Sequence, residues 1–402
     1  MEPWLAIVGI GEDGVEGLSP KARALVSGAR LVVGGERHLA LARDLIAGEP
    51  MAWPSPLPDG VAAILARRGQ PVAVLASGDP HWFGVGNLLA RHVAAAETVC
   101  VPAVSALALA CARVGWSSEV VSTISLGGRP LETLAPLLQP RARIIVLSAD
   151  AGTPTQVAAF VSGRGFGASQ MQVMEHLGGP RERVRQSRAD AFALRDIANL
   201  NLTALDVQGT PAATVIPLVP GRPDELFEND GQITKREIRA AALAALAPRA
   251  GERLWDVGCG SGSIGIEWLL SDAGNEAIAI DANPERAARA TRNAAALGVP
   301  RLQVMVGTAP AALAGLAAPD AVFVGGGGHD AALLDAGWTA LRPGGRMVAH
   351  AVTVETEAAL IAAMDRFGGA ITRIALERLE PLGRLHTFRP ALTVSQWLAV
   401  KS

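Results

Sequence analysis

A glycine-rich stretch in the second half of the chain constrains the fold more than any other segment. Residues 253–265 read RLWDVGCGSGSIG, an apolar run followed by Gly258, Gly260 and Gly262 and then by a helical pattern. This order predicts a strand, a tight loop and a helix. Bare glycines let a ligand approach the backbone, and the helix N-terminus carries partial positive charge. Asp281, which closes the next apolar run, can accept both hydroxyl groups of a ribose.

The spacing of these glycines favours one class of ligand. Dinucleotide sites need G-x-G-x-x-G, whereas this loop reads G-x-G-x-G and has Ser263 at the third dinucleotide position. Asp256 precedes the glycines, and its carboxylate would repel a pyrophosphate but suits a cationic amine. S-Adenosylmethionine has an amine and a ribose and no phosphate, so the loop favours it over NAD. A turn without a ligand is the remaining interpretation.

The composition is that of a well-cored globular protein with two or three domains. Of the 402 residues, 50% are apolar and 18% are charged. The net charge is −2, so the chain lacks the basic character of nucleic-acid binders. The N-terminal sequence does not resemble a signal peptide, and no apolar run is long enough to span a membrane. The three cysteines have no metal-ligand spacing, so we expect free thiols in the cytoplasm and no metal site.

The first half alternates apolar runs with helical segments, which predicts a parallel α/β sheet. Four runs are predicted strands: residues 5–8, 31–33, 72–75 and 99–101. Ser19 and Pro20 predict the start of a helix, because serine caps helices and proline suits their first position. Ligands bind at the C-terminal ends of such strands, so the loops that follow them are candidate sites.

Three of these loops resemble the tetrapyrrole methylase family, whose members have V-G-x-G, then G-D-P, then I-P-G-x-[ST]. The corresponding segments are residues 8–11, residues 77–80 with Gly84, and residues 101–105. The opening GIGEDG and Ala103 depart from the usual pattern. The opening, together with the GGERH sequence after the second strand, looks like the subfamily that methylates C5 of a corrin precursor.

This resemblance implies a two-lobed fold that includes a mixed sheet, with S-adenosylmethionine in the cleft between the lobes. It implies cofactor contacts by Gly9, Gly11, Ser77, Gly78, Asp79, Ser105 and Ala106. A cap on the following turn is the alternative role for Asp79. His176 is expected either to face the cleft or to lie at the surface.

A proline-rich stretch over residues 214–224 predicts a domain boundary near Gly221. Thr234 and Glu237 then predict a capping box at a helix start, which is the alternative to a cofactor-binding role for Thr234. Strands and helices alternate after the glycine loop. The last two runs, residues 371–377 and 391–400, are expected to form an antiparallel hairpin at the sheet edge.

The second half resembles the class I methyltransferases, of which the LRPGGR turn before the fifth strand is typical. The segments ITKREIR, DVGCGSGSIGIEW, AIDANPE, GTAP, VFVGGGG and TVET together resemble the C15-methylating, decarboxylating enzymes of corrin synthesis. Thr308 stands where that family usually has aspartate, so its hydroxyl or a backbone carbonyl is left to hold the adenine amine. The resemblance implies cofactor contacts by Thr234, Asp256, Gly258, Cys259, Gly260, Ser261, Gly262, Asp281, Gly307 and Ala309.

Together the halves resemble the precorrin-6B (precorrin-6Y) C5,15-methyltransferase (decarboxylating) family. The resemblance implies a tetrapyrrole methylase domain at residues 1–221 and a class I Rossmann-like methyltransferase domain at residues 222–402. It implies two S-adenosylmethionine sites per chain and conversion of precorrin-6B to precorrin-8 in cobalamin biosynthesis. The first domain would methylate C5, and the second would methylate C15 and decarboxylate the ring C acetate. A homo-oligomer with no nucleic-acid or membrane partner is expected.

The substrate carries many carboxylates, so cations near the second site are candidates to bind it or to assist decarboxylation. These candidates are Lys235, Arg236, Arg384, His386 and Arg389. Glu355 is expected either to hydrogen-bond the substrate or to cap its helix.

An RNA methyltransferase, an NAD-dependent oxidoreductase and a scaffold with decayed sites are the alternative functions. The missing basic surface disfavours an RNA methyltransferase, and the glycine spacing together with the LRPGGR turn disfavours an oxidoreductase. Intact glycines in both halves disfavour a scaffold with decayed sites.

Overall fold

The computed structural model describes residues 3–402, so the first two residues of the predicted 1–221 domain lie outside it. The chain forms two compact units. The first contains the described residues up to Leu131 together with Gln139–Thr214, and the second contains Glu132–Leu138 and Val215–Ser402. The domain limits of 1–221 and 222–402 stay a prediction. No helix within residues 3–402 is long and apolar enough to cross a membrane.

The first unit begins with a sheet of five parallel strands and its helices. Its elements are β1 (Leu5–Ile10), α1 (Pro20–Ser27), β2 (Leu31–Gly34), α2 (Glu36–Leu41), β3 (Glu49–Ala52), α3 (Leu57–Leu65), β4 (Val72–Ser77), α4 (Gly86–Leu89) and β5 (Thr98–Val101). The strand order is β3-β2-β4-β1-β5. All six residues of β1 are buried because both faces of the sheet are covered.

Sequence patterns predicted four of the five strands of this sheet. The four predicted strands are confirmed, and the predicted cap of α1 is confirmed by a 3.2 Å hydrogen bond from the Ala22 N–H to Ser19 Oγ. The edge strand β3 was not predicted. Its sequence, EPMA, has no apolar run, and its residues are exposed or only partly buried, so pairing with β2 rather than burial defines it.

The rest of the first unit is a mixed sheet, as the family resemblance implied. Its elements are α5 (Ala106–Val114), β6 (Val121–Ser125), β7 (Arg143–Leu147), α6 (Thr153–Val161), β8 (Gln170–Glu175), β9 (Arg183–Arg188) and β10 (Asn201–Asp206). The strand order is β6-β7-β10-β8-β9, in which β6 and β7 are parallel and the other pairs are antiparallel.

The second unit is a seven-stranded sheet flanked by helices, with a separate two-stranded sheet. Its elements are α7 (Arg236–Leu246), β11 (Arg253–Val257), α8 (Ser263–Ser271), β12 (Glu276–Asp281), α9 (Pro284–Ala296), β13 (Gln303–Val306), β14 (Ala321–Val324), α10 (Ala331–Ala340), β15 (Arg346–Ala351), α11 (Val354–Phe367), β16 (Ala370–Ile374), β17 (Glu377–Leu382), β18 (Leu385–Pro390) and β19 (Val394–Val400). The order β13-β12-β11-β14-β15-β19-β16 reverses between β11 and β14. Ligands bind at such a switch point, outside the carboxyl ends of the strands.

Two local predictions for the second unit are corrected. The last two strands of the sheet are antiparallel, but β19 lies between β15 and β16, and the exposed hairpin β17–β18 separates them along the chain. The capping box is wrong, because α7 begins only at Arg236 and its N-cap residue is Lys235, whose side chain makes no capping bond. The Thr234 carbonyl instead accepts a hydrogen bond from Arg239 Nη1.

Candidate active sites

The glycine loop after β11 needs its glycines for backbone geometry. Gly258, Gly260 and Gly262 have φ of 72°, 55° and 75°, a region that favours glycine. A Cβ on Gly258 would lie 2.6 Å from the Gly326 nitrogen, so the loop after β14 packs directly on its backbone. A Cβ on Gly262 would lie 2.9 Å from the Ala290 Cβ, so this glycine lets α8 approach α9.

Asp281 is held at the end of β12 with both carboxylate oxygens oriented. Oδ2 accepts a hydrogen bond from the Gly260 N–H and Oδ1 one from the Asn283 N–H, each at 2.9 Å. A carboxylate has about four lone-pair positions, so it can accept further hydrogen bonds from a ligand. The hydroxyl of Ser261 is buried and has no hydrogen-bond partner among residues 3–402. These groups fit a ligand that presents hydroxyl groups, as S-adenosylmethionine does.

A cavity of about 960 Å³ opens in the second unit beside this loop. It lies at the upper end of the roughly 300–1,000 Å³ range of small-molecule sites. Most of the predicted cofactor-binding residues of this half line the cavity: Thr234, Gly258, Cys259, Gly260, Ser261, Asp281, Gly307 and Ala309. Asp256 and Gly262 are not among the lining residues.

Asp256 is buried near the end of β11. Its Oδ2 accepts a 2.9 Å hydrogen bond from the Gly265 N–H, whereas Oδ1 has no partner within residues 3–402. Burial raises the pKa of Asp256 to about 7 against the effect of that hydrogen bond, and the Asp281 carboxylate adds to the rise. The hydrogen bond therefore joins the end of β11 to the first turn of α8, and burial favours the protonated form of the carboxyl group.

Only one of the predicted cationic candidates, Lys235, lines the cavity, and its Nζ lies 3.9 Å from Asp224 Oδ2. Arg384 and His386 are exposed on the hairpin, at the turn and on β18. Glu355 is exposed in the first turn of α11, where Thr353 provides the cap through a 3.3 Å hydrogen bond from the Thr356 N–H. The cavity lining lacks the other candidates, Arg236, Arg384, His386, Arg389 and Glu355, so their proposed roles toward the substrate stay predictions. The alternative role of Glu355 as the cap of its helix is wrong, because Thr353 provides the cap.

Sequence reasoning missed several polar lining residues of the second unit, namely Arg286, His329, Asp330, His350 and Arg378, whereas Thr308 was singled out and also lines the cavity. Arg378 on β17 donates a 2.7 Å hydrogen bond to Glu237, and Arg286 in the first turn of α9 lies 3.3 Å from Asp230. Burial lowers the pKa of His350, whose Nε2 is 2.9 Å from Gln396 Oε1. The GTAP match pointed to Thr308, but no local pattern marks the others.

The first unit has a smaller cavity of about 380 Å³. Four predicted residues line it: Gly11, Ser77, Gly78 and Ala106. The other three predicted residues, Gly9, Asp79 and Ser105, do not line the cavity and contact neighbouring residues of the chain instead. A Cβ on Gly9 would lie 1.9 Å from the Gly78 carbonyl oxygen, Asp79 Oδ1 accepts from the His81 N–H at 2.8 Å, and Ser105 Oγ accepts from the Ala108 N–H at 3.1 Å. The alternative role of Asp79 as the cap of a turn is therefore observed.

A network of polar side chains lines one part of this smaller cavity. Glu12 accepts hydrogen bonds from Arg37 and, at 2.9 Å, from His176. Arg37 Nη2 donates to Ser77 Oγ at 2.7 Å and to His38 Nε2 at 2.8 Å. Burial, together with the positive charge of Arg37, lowers the pKa of His38 to about 4, so His38 is neutral at physiological pH.

Comparison with known proteins covers both units. The family model described as tetrapyrrole (corrin/porphyrin) methylases matches residues 5–193, and the one described as precorrin methyltransferase domain matches residues 225–401. The crystal structure of the C-terminal domain of precorrin-6Y C5,15-methyltransferase from Rhodobacter capsulatus is 46% identical and covers 46% of this chain and 100% of that chain, with a TM-score of 0.44.

Two curated relatives match almost the whole chain. A precorrin-6Y C(5,15)-methyltransferase (decarboxylating) from a Sinorhizobium species is 50% identical over 397 residues, which is 99% of this chain and 96% of the relative. The protein of the same name from Mycobacterium tuberculosis is 41% identical over 404 residues, which is 99% of this chain and 100% of the relative. The resemblance drawn from the motifs is confirmed, and the chain belongs to the precorrin-6Y C(5,15)-methyltransferase (decarboxylating) family.

Proposed function

We propose that each unit of this methyltransferase binds one S-adenosylmethionine, so that the chain has two methyl-donor sites. The observation that carries the proposal is that each unit has its own cavity lined by glycine loops at strand ends. In the second unit, the oriented carboxylate of Asp281 would accept the ribose hydroxyls and the Ser261 hydroxyl would gain a partner. When bound, the cofactor supplies an electrophilic methyl group at each site.

We propose that the first unit methylates C5 and that the second methylates C15 and removes the ring C acetate carboxyl group, so that precorrin-6B becomes precorrin-8. The names of the relatives and the two family models support this assignment over the RNA methyltransferase, oxidoreductase and scaffold alternatives. The larger cavity of the second unit and its cationic lining residues, Lys235, Arg286 and Arg378, suit a substrate with several carboxylates.

In this proposal the chain acts mainly by positioning. Transfer of a methyl group needs the carbon nucleophile in line with the donor, and holding both in one geometry removes much of the entropic barrier. The tight packing of Gly258 on Gly326 fixes one wall of the second cavity. The Lys235, Arg286 and Arg378 cations would orient the macrocycle through its carboxylates, while the apolar Leu333 and Val394 help to exclude water.

Calorimetric titration of the full chain with S-adenosylhomocysteine tests the number of sites, and two per chain are expected. The variant Ala106→Trp, which fills the first cavity, should leave one. With a carbon-13-labelled methyl donor, this variant should give a product that is methylated at C15 only and decarboxylated. A product of A106W that carries the label at C5 but not at C15 would reverse the assignment, and absence of binding to the wild type would refute the proposal of two sites.

We propose that the protein is a homo-oligomer, which the hairpin β17–β18 supports. Its Leu379, Leu382, Leu385 and Phe388 are each more than half exposed, and apolar patches of this kind mark interaction surfaces. Leu379 and Phe388 lie opposite each other in the register. Sedimentation of the variant with Leu379→Ser and Phe388→Ser should give a lower mass than the wild type; equal masses would place the interface elsewhere. The cytoplasmic location and the absence of nucleic-acid and membrane partners stay predictions.

A further inference from the structure

His176 occupies an unusual backbone position in the first unit. It follows directly after strand β8 and has a φ of 49°, a left-handed conformation that is uncommon for residues other than glycine. Its backbone is held on both sides, because its N–H donates to the Leu200 carbonyl at 3.2 Å and its carbonyl accepts from the Gly179 N–H at 3.1 Å. Residues held in such conformations concentrate at functional sites, and His176 lines the smaller cavity.

The partner of His176 is Glu12, 164 positions earlier in the chain. The Glu12 side chain is 8% exposed, and a Cβ on Gly179 would lie 2.5 Å from its Cβ, so only glycine permits this approach. Burial alone would raise the pKa of Glu12, but hydrogen bonds from His176 and Arg37 and the charge of Arg37 outweigh it and lower the pKa. Glu12 is therefore an ionised carboxylate, which can only accept hydrogen bonds.

This pairing determines which nitrogen of His176 carries the proton. Since Glu12 only accepts, Nδ1 of His176 must be the donor in their 2.9 Å hydrogen bond. When the ring carries a single proton, Nε2 is therefore the acceptor, and no hydrogen bond to Nε2 is found among residues 3–402. The charged groups around the pair are Arg37, which binds Glu12, and Arg181, whose Nη2 lies 3.8 Å from Glu12 Oε2.

The other titratable groups that line this cavity are committed elsewhere. His38 Nε2 accepts from Arg37, and its pKa of about 4 makes it a weak base. The Glu12 carboxylate is already paired with Arg37 and His176, and an arginine does not lose its proton. The chain has no tyrosine. His176 is thus the lining side chain that offers an unengaged basic nitrogen to the cavity.

We propose that His176 is the general base of the first unit and that Glu12 is the residue that positions it. The inference rests on the proposed C5 methylation. The macrocycle carbon forms a bond to the methyl group as the sulfur–methyl bond breaks, so the sulfonium becomes a neutral thioether and the macrocycle gains one positive charge. Loss of one proton from the macrocycle to His176 Nε2 restores its neutrality, the electron pair of the broken bond returning to the conjugated system. The proton then passes to solvent.

Full-length variants test this role with the second unit as an internal control. His176→Gln should slow C5 methylation about 100- to 10,000-fold, the usual contribution of a general base, without changing the affinity for S-adenosylhomocysteine. His176→Ala should be slow in the same way and should regain C5 methylation when imidazole is added. Glu12→Gln should lower kcat rather than raise KM. His92→Gln changes an exposed histidine outside the cavity and should behave as wild type.

A carbon-13-labelled methyl donor reports C5 and C15 methylation separately in each variant. Wild-type C5 methylation in H176Q, or a slow H176A that imidazole does not restore while cofactor binding is intact, would overturn the assignment and leave His176 with a structural role. A wild-type chain whose first unit bound no S-adenosylhomocysteine would instead refute the proposed function of that unit, so the two failures are distinguishable.

Discussion

The backbone N–H of Gly260 donates a 2.9 Å hydrogen bond to Oδ2 of Asp281, and this bond joins the glycine loop to the end of the neighbouring strand. The second carboxylate oxygen is held by the Asn283 N–H at 2.9 Å. Because both oxygens are fixed by the backbone, the carboxylate needs little reorganisation to receive ligand hydroxyl groups, which lowers the entropic cost of binding.

Asp281→Asn should weaken binding of S-adenosylhomocysteine to the second unit about 10- to 100-fold. The amide keeps an acceptor for Gly260 but loses the negative charge, and hydrogen bonds to charged groups contribute about 1.5–3 kcal/mol. Calorimetry on the full chain measures the affinity. Asp330→Asn is the matched control, because Asp330 lines the same cavity and caps α10, a position that asparagine also suits. Equal losses in D281N and D330N would contradict the role of Asp281.

The site around Asp281 was predictable because its parts are local in sequence. The glycine loop, α8 and β12 follow one another, and parallel strands place their carboxyl ends at one edge of the sheet. Thr308 also follows a strand end, and the motif match brought it to attention.

The rest of the sites depends on contacts between distant segments. Arg378 reaches the second cavity from a hairpin that the sequence patterns did not separate from β16 and β19. Glu12 and His176 meet only because two sheets of the first unit pack together, and neither residue lies in an apolar period that would reveal the contact. Local sequence patterns predict the helices and strands. The packing of those helices and strands against one another determines which of these side chains meet in the sites.

Asp256 should make the stability of the second unit fall as the pH rises from about 4 to about 7. Its folded-state pKa of about 7 lies above its ordinary value of 3.8, so the native state prefers the protonated carboxyl group. That preference contributes fully below the unfolded pKa and is lost as the pH rises through the folded pKa. The slope from one such group is at most about 1.4 kcal/mol per pH unit.

Asp256→Asn removes this titration while keeping an acceptor for the Gly265 N–H. Urea unfolding at several pH values gives the free energy of unfolding for both chains. Between pH 4 and 7 the free energy of unfolding of the wild type should fall relative to that of D256N. If the two free energies changed with pH in parallel, Asp256 would have the same pKa in the folded and unfolded states.

Gly258→Ala should destabilise the second unit more than Gly251→Ala. Both glycines have a left-handed backbone, with φ of 72° and 77°, so alanine pays a similar cost of about 1–2 kcal/mol at each. The new Cβ would lie 2.6 Å from the Gly326 nitrogen at position 258 but would meet nothing within 4 Å at position 251. Overpacking of this kind adds about 1–3 kcal/mol. Urea unfolding measures the difference, and equal free energies for G258A and G251A would contradict close packing of the two loops.

Substitutions of Arg378 and Arg384 distinguish the substrate contact indicated by the structure from the one suggested by the sequence. Both arginines belong to the hairpin β17–β18, but only Arg378 lines the cavity, while Arg384 lies in its exposed turn. Arg378→Gln should raise KM for the corrin precursor about 2- to 5-fold, because the side chain is half exposed and such charge contacts contribute up to about 1 kcal/mol. Arg384→Gln should leave KM unchanged, and neither variant should change the affinity for S-adenosylhomocysteine. Steady-state kinetics of C15 methylation measures both. The opposite pattern, with KM raised only in R384Q, would place the substrate carboxylates at the tip of the hairpin and outside the cavity.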